Sequence, residues 1–189
     1  MWTIDFAKAL KNKGVTLVDP GKVFPPPAPA SSEEGDALVK AGREAYDNLD
    51  FEAGSKSLGE AAVFFIKNPS AANAETLSEI FLYLGASELQ NGGKAAKQAA
   101  AKEFTRALQM NPGLVPDAKY FGADVLKEFT LAQKELLKKP KGTLSVESIP
   151  AGAEVEAFGL SHGTTPVKEI ELPAGRYFVL AIIDTNTGD

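Results

Sequence analysis

Residues 41–62 read AGREAYDNLDFEAGSKSLGEAA. Leu38, Ala41, Ala45 and Leu49 fall three or four residues apart, the spacing that lines up one apolar stripe on a helix. Asn48 to Asp50 interrupts that period. Asp50 can accept a backbone N–H at the start of a second helix, whose stripe is Leu58, Ala61, Ala62 and Phe65. The result is a helical hairpin. Residues 83–112, YLGASELQNGGKAAKQAAAKEFTRALQMNP, with Leu77 and Phe81 just before them, repeat the grammar: Leu77, Phe81 and Leu84, a turn at Asn91, Gly92 and Gly93, then Ala100, Phe104, Ala107 and Leu108. Two such hairpins in succession predict an α-solenoid.

The two units resemble tetratricopeptide repeats (TPR). Gly42, Gly54, Leu58 and Ala61 match that pattern in the first unit, and Gly85, Ala100, Phe104, Ala107 and Pro112 match it in the second. The resemblance covers roughly residues 33 to 112, and the units are TPR-like because the spacing from Gly42 to Gly85 is about nine residues above the usual ~34. Longer helices or a longer inter-repeat loop are expected. An ordinary helical bundle with small residues at its contacts is the other reading.

Working outward, Ser31 and Glu34 form a capping-box pattern that would start the first long helix. Before it, Pro25, Pro26, Pro27 and Pro29 make a polyproline-like spacer, which marks a boundary because proline cannot join a helix interior or a central strand. Residues 1–30 therefore read as an N-terminal arm and Pro-rich linker, with Ile4, Ala7 and Leu10 on a short helix and Val15 to Val18 as an apolar run. After Pro112, the residues Val125, Phe129, Ala132 and Leu136 share a face, and Lys127, Lys134, Lys138 and Lys139 make its outer side polar. This predicts a capping helix, stopped by Pro140 and Gly142, so the helical domain is placed at 31–140.

Beyond Gly142 the apolar period falls to about two, with Leu144 and Val146, Val155 and Ala157, Ile170 and Leu172, then Tyr177, Val179 and Ala181. Four strands near 143–147, 153–157, 167–172 and 176–183 predict a small antiparallel β-sandwich joined to the helices by a short Lys141-Gly142 link. The fold class expected for the whole is α+β and multidomain. Here the residues resemble the PEGA domain: Pro150, Gly152 and Ala153, then the turn Gly163, Thr164, Thr165 and Pro166, then Leu172, Pro173 and Gly175. Ala151 replaces the Glu that gives the family part of its name. The resemblance implies a bacterial or archaeal surface or envelope protein, a setting where such domains often adjoin tetratricopeptide repeats. The region 141–189 is expected to be incomplete, because four strands end in the turn-like DTNTGD at 184–189 and leave Tyr177 to Ile183 as an apolar edge. Either the native polypeptide continues or a partner adds a strand.

The 189 residues suit one or two domains and carry a net charge of −5. Charge is unevenly spread: +2 over residues 1–30, −7 over 31–93, +5 over 94–141 and −5 over 142–189. An acidic chain without a basic stripe argues against nucleic acid as a partner. There is no cysteine, so disulfides and thiolate metal sites are excluded and both cytoplasm and periplasm stay open. No apolar run approaches the ~18 residues of a membrane span, and the first residues lack the layout of a signal peptide.

No nucleophile with a base, paired carboxylates or ligand cluster stands out, so an enzyme is not expected and no cofactor or metal is assigned. His162, the only histidine, reads as a solvated turn residue. Asp184, Asn186 and Asp189 lack the sixth-position Gly and closing Glu of a calcium loop. Gly92-Gly93-Lys94 lies between helices and lacks the remaining P-loop pattern. The expected function is a non-enzymatic scaffold of the cell envelope, periplasmic by preference, holding a helical or internal peptide segment of a protein partner. The resemblance to tetratricopeptide repeats places Val39, Arg43, Tyr46, Asp47, Leu82, Ala86, Leu89 and Gln90 on the partner-binding concave face. The alternative is an envelope-glycan binding module on the β-domain, with Phe158, Tyr177 and Phe178 as aromatic platforms.

Overall fold

The structure, a computed structural model, describes residues 31–157 and 160–182. The N-terminal arm, its proline spacer and the closing DTNTGD lie outside the described residues. The helices are α1 (Glu33–Asp47), α2 (Phe51–Lys67), α3 (Ala74–Gln90), α4 (Gly93–Met110) and α5 (Ala123–Leu137), with a 3₁₀ turn at Pro69–Ala71 between α2 and α3. Each packs on the next in chain order. They run from 15 to 18 residues, longer than the ~11–12 of an average helix, and together with the link 68–73 they absorb the wide spacing between Gly42 and Gly85.

The first hairpin turns as its residues suggest at one point and differently at two others. Asp50 caps α2, accepting the Ala53 N–H at 3.1 Å. The capping box at Ser31 does not form, since Ser31 Oγ accepts from Glu33 N at 3.2 Å and no side chain caps α1. The buried stripe of α1 is Gly35, Val39, Gly42 and Tyr46, about one residue round from the expected Leu38, Ala41, Ala45 and Leu49. Ala41 and Leu49 are exposed. Leu49 adopts a left-handed φ of 60° and closes α1: its N–H donates to Tyr46 O at 2.9 Å, and the Asp50 N–H donates to Ala45 O at 2.9 Å. Those two bonds form the Schellman pattern, with leucine where glycine is usual.

Small residues set how near the helices come. A β-carbon on Gly42 would lie 2.4 Å from Leu58 Cγ, and one on Gly85 would lie 2.6 Å from the Phe104 ring. Gly42 thus brings α1 onto α2, and Gly85 brings α3 onto α4. The expected stripes of α2, α4 and α5 are all buried, with Leu58, Ala61, Ala100, Phe104, Ala107 and Val125 fully enclosed. Helix α3 is the centre of the unit. It buries Leu77, Ile80 and Phe81 together with Leu82, Leu84 and Ala86, which is most of its circumference.

The β-unit has five strands among the described residues: β1 (Lys141–Val146), β2 (Glu154–Ala157), β3 (Leu160–Thr164), β4 (Val167–Pro173) and β5 (Val179–Ile182). Antiparallel pairing gives one sheet β1-β4 and another β3-β2-β5. Four strands are as expected; β3 is an addition. Lys141 and Gly142 are strand residues paired with Pro173 and Leu172, so the true connection from α5 is only Lys138 to Pro140. The described residues form one compact unit. No described helix is long and apolar enough to cross a membrane.

Candidate functional site

The eight residues expected on a concave face divide in the structure. Val39, Tyr46, Leu82, Ala86 and Leu89 are buried within the core cluster, while Arg43, Asp47 and Gln90 are exposed. Tyr46 is enclosed by three rings, those of Phe51, Tyr83 and Phe121, at centroid distances of 5.6, 5.4 and 5.7 Å. Phe121 belongs to the α4–α5 connection, where no periodic pattern flags it as a core residue. Burial, then the nearby Asp124, Tyr83 and Asp47, push the Tyr46 hydroxyl up to about 12. Burial also raises Tyr83, against the pull of the Arg43 guanidinium. Gln90 is held at the start of α5, its Nε2 donating to Asp124 Oδ2 at 2.9 Å.

What remains open on this side is a cleft of about 420 Å³ between α1 and α3. Val39, Arg43 and Asp47 of the expected set line it, beside Asp36, Glu44 and Glu79. Arg43 spans the two helices: its Nη1 is 2.9 Å from Glu79 Oε1, and its guanidinium carbon lies 5.5 Å from the Tyr83 ring centroid. A planar guanidinium stacked on an aromatic face and paired at its edge has a defined orientation. The surface is polar, with a carboxylate excess.

In the β-unit, the three short motifs singled out in the sequence converge as structure. Thr165 is buried, and its Oγ1 accepts the N–H groups of Gly152 and Ala153, each at 3.0 Å, while also meeting Ser148 Oγ. This ties the turn at 150–153 to the turn at 163–166. The peptide bonds preceding Pro150 and Pro166 are cis. The third motif reaches the helices: a β-carbon on Gly175 would lie 1.9 Å from Gln109 Nε2, and Ala174 N donates to Pro140 O at 2.8 Å.

His162 is a half-buried residue of β3 rather than a solvated turn residue, with Nε2 3.3 Å from Ala157 O. It lines a cavity of about 290 Å³ with Leu136, Ile170 and Tyr177, between α5 and the β1-β4 sheet. The polar run Ser161-His162-Gly163 concealed this strand. Tyr177, whose hydroxyl donates to Pro173 O, is half-buried, and Phe178 packs against the helical core. Neither ring stands out as a flat platform for a sugar, and Phe158 lies outside the described residues. Gly92 and Gly93 both have positive φ and shape the turn into α4. Among the described residues, no group of three or more His, Asp or Glu could hold a metal ion.

Residues 141–180 match the PEGA domain family. No curated protein and no solved structure matches the chain.

Proposed function

We propose that this chain is a non-enzymatic scaffold of the bacterial cell envelope, in which TPR-like helical hairpins hold a protein partner and the PEGA-like β-unit is a rigidly attached surface module. The observation that carries this reading is the α1–α3 cleft with Arg43 fixed across it by Glu79 and Tyr83. It joins the first helices of successive hairpins, the face that tetratricopeptide repeats use for peptides. The match at 141–180 supports an extracytoplasmic setting. Tyr46, Leu82, Ala86 and Leu89 are buried, which leaves Arg43, Asp47 and their charged neighbours to meet the partner. A segment with basic or hydrogen-bonding groups suits the carboxylate excess there.

Glycan binding by the β-unit is the weaker reading, because Tyr177 and Phe178 turn toward the helices. Photo-crosslinking from Lys40 in a native envelope extract distinguishes the two. A discrete protein adduct, lost in a folded Arg43→Glu variant, is expected. Cosedimentation with cell-wall polymer that survives Arg43→Glu, with no protein adduct, would overturn the scaffold reading.

A further inference from the structure

A larger opening, about 770 Å³, lies between the helices and the β-unit. Its floor is apolar, made by Leu77 and Phe81 of α3, Met110 of α4, and Phe178. Its rim is cationic. Lys102 and Arg106 stand one turn apart on α4, Lys139 follows α5, and Arg176 comes from the turn before β5. No aspartate or glutamate lines it. Arg106 is the only one of the four with an ion pair among the described residues: it meets Glu103 at 2.9 Å while its guanidinium carbon lies 4.9 Å from the Phe81 ring centroid. Lys102, Lys139 and Arg176 are exposed and form no ion pair among the described residues.

Three separate elements thus bring like charges around one apolar hollow. Such a ring attracts an anion, and the low-dielectric floor strengthens that attraction. We propose that this cleft docks an acidic segment of a partner protein, with one aliphatic or aromatic side chain seated on Phe81, Met110 and Phe178 and flanking carboxylates paired to Lys102, Arg106, Lys139 and Arg176. Its volume lies within the ~300–1,000 Å³ of typical ligand sites, enough for a short peptide stretch. Several carboxylates are needed to meet several separated cations, which a peptide supplies and a single-headed acyl chain does not. The site is distinct from the α1–α3 cleft, whose charge has the opposite sign.

The test is fluorescence anisotropy with the full chain and a labelled Glu-Asp-Phe-Glu-Glu-Leu peptide at low ionic strength. A Lys-Lys-Phe-Lys-Lys-Leu peptide and phosphatidylglycerol vesicles serve as comparisons. Saturable binding of the acidic peptide, weakened by salt and at least about tenfold by Lys102→Glu with Arg176→Glu, is expected. Arg43→Glu should leave it unchanged, which separates this site from the scaffold cleft. If the double reversal does not fold, Arg176→Gln alone should still weaken binding severalfold. The proposal is overturned if the acidic peptide does not bind, if the charge variants bind it equally, or if the vesicles are bound in preference. Self-association of the chain abolished by the same variants would assign the cleft to a second copy and overturn it equally.

Discussion

Gly175 of the β-unit rests on Gln109 of α4 so closely that a β-carbon would stand 1.9 Å from the amide nitrogen. Gln109 is itself buried, so its amide must give up its present packing to make way. Gly175→Ala should therefore destabilise the protein by about 1–3 kcal/mol, the range for overpacking. Shortening the opposing side chain should relieve it. In a double-mutant cycle read by chemical denaturation, Gly175→Ala should be less damaging in a Gln109→Ala background than in the native one; additive effects would show that the two residues do not press on each other.

Two helical glycines should respond oppositely to the same substitution. Alanine in a helix interior is favoured over glycine by about 1 kcal/mol. At Gly59 a β-carbon meets nothing within 4 Å, so Gly59→Ala should raise the unfolding free energy by about that increment and the denaturation midpoint with it. At Gly85 it meets the enclosed Phe104 ring at 2.6 Å and the Ala100 carbonyl at 3.2 Å, and the steric cost should outweigh the propensity gain. Thermal melts of the pair check the sign of each.

Leu49 is exposed and left-handed, a conformation that costs a branched residue about 1–2 kcal/mol. Leu49→Gly keeps the Schellman bonds and loses little packing. It should stabilise the first hairpin by up to about 1 kcal/mol, whereas Leu49→Val should destabilise it. Equilibrium unfolding of both variants decides the matter.

The Tyr46 hydroxyl is at about 12 in the folded protein against an ordinary value of 10.0. A raised folded value means that its stabilising contribution is fully present below pH 10.0 and is lost as the pH rises from there through about 12. By about pH 11 the loss should be on the order of 1 kcal/mol relative to about pH 8. Tyr46→Phe has no proton to lose at this position. The difference in stability between native protein and variant should shift toward the variant over that interval, and a difference that stays constant would contradict the assignment.

Thr165 shows what the Thr-Thr-Pro run at 164–166 accomplishes physically. Replacing it by valine keeps the shape and removes the acceptor, leaving the buried Ala153 N–H without its bond. Gly152 N retains the Thr165 carbonyl at 3.1 Å. One orphaned donor predicts a loss of about 1–3 kcal/mol, and Thr165→Ser should recover most of it. Hydrogen exchange at Ala153 would locate the effect.

Much of this architecture was legible where apolar side chains carry the signal. Leu58, Ala61, Ala62 and Phe65 fall on one face by spacing, and that face is buried. The α1 stripe was misplaced because half of the true one is Gly35 and Gly42, residues that pack by being absent and add nothing to an apolar count. Strand β3 was missed for a related reason, since Leu160-Ser161-His162-Gly163-Thr164 has no alternation and is held by its pairing with β2. The resemblance puts Arg43, Tyr46 and Asp47 on one face, where Arg43 and Asp47 are exposed and Tyr46 is buried. It could not foresee that Phe121, distant in sequence, would close over Tyr46 and Tyr83.

Only Lys138, Lys139 and Pro140 separate the last helix from the first strand, and the bond from Ala174 to Pro140 staples that join from the far side. In mechanical terms the junction is a strut and not a tether. Pull on the helices, and β1 cannot swing free until the staple parts and Gly175 lifts off Gln109. The helices and the β-unit are then kept at a set separation and angle, so the molecule behaves as a fixed bracket and not as two beads on a string.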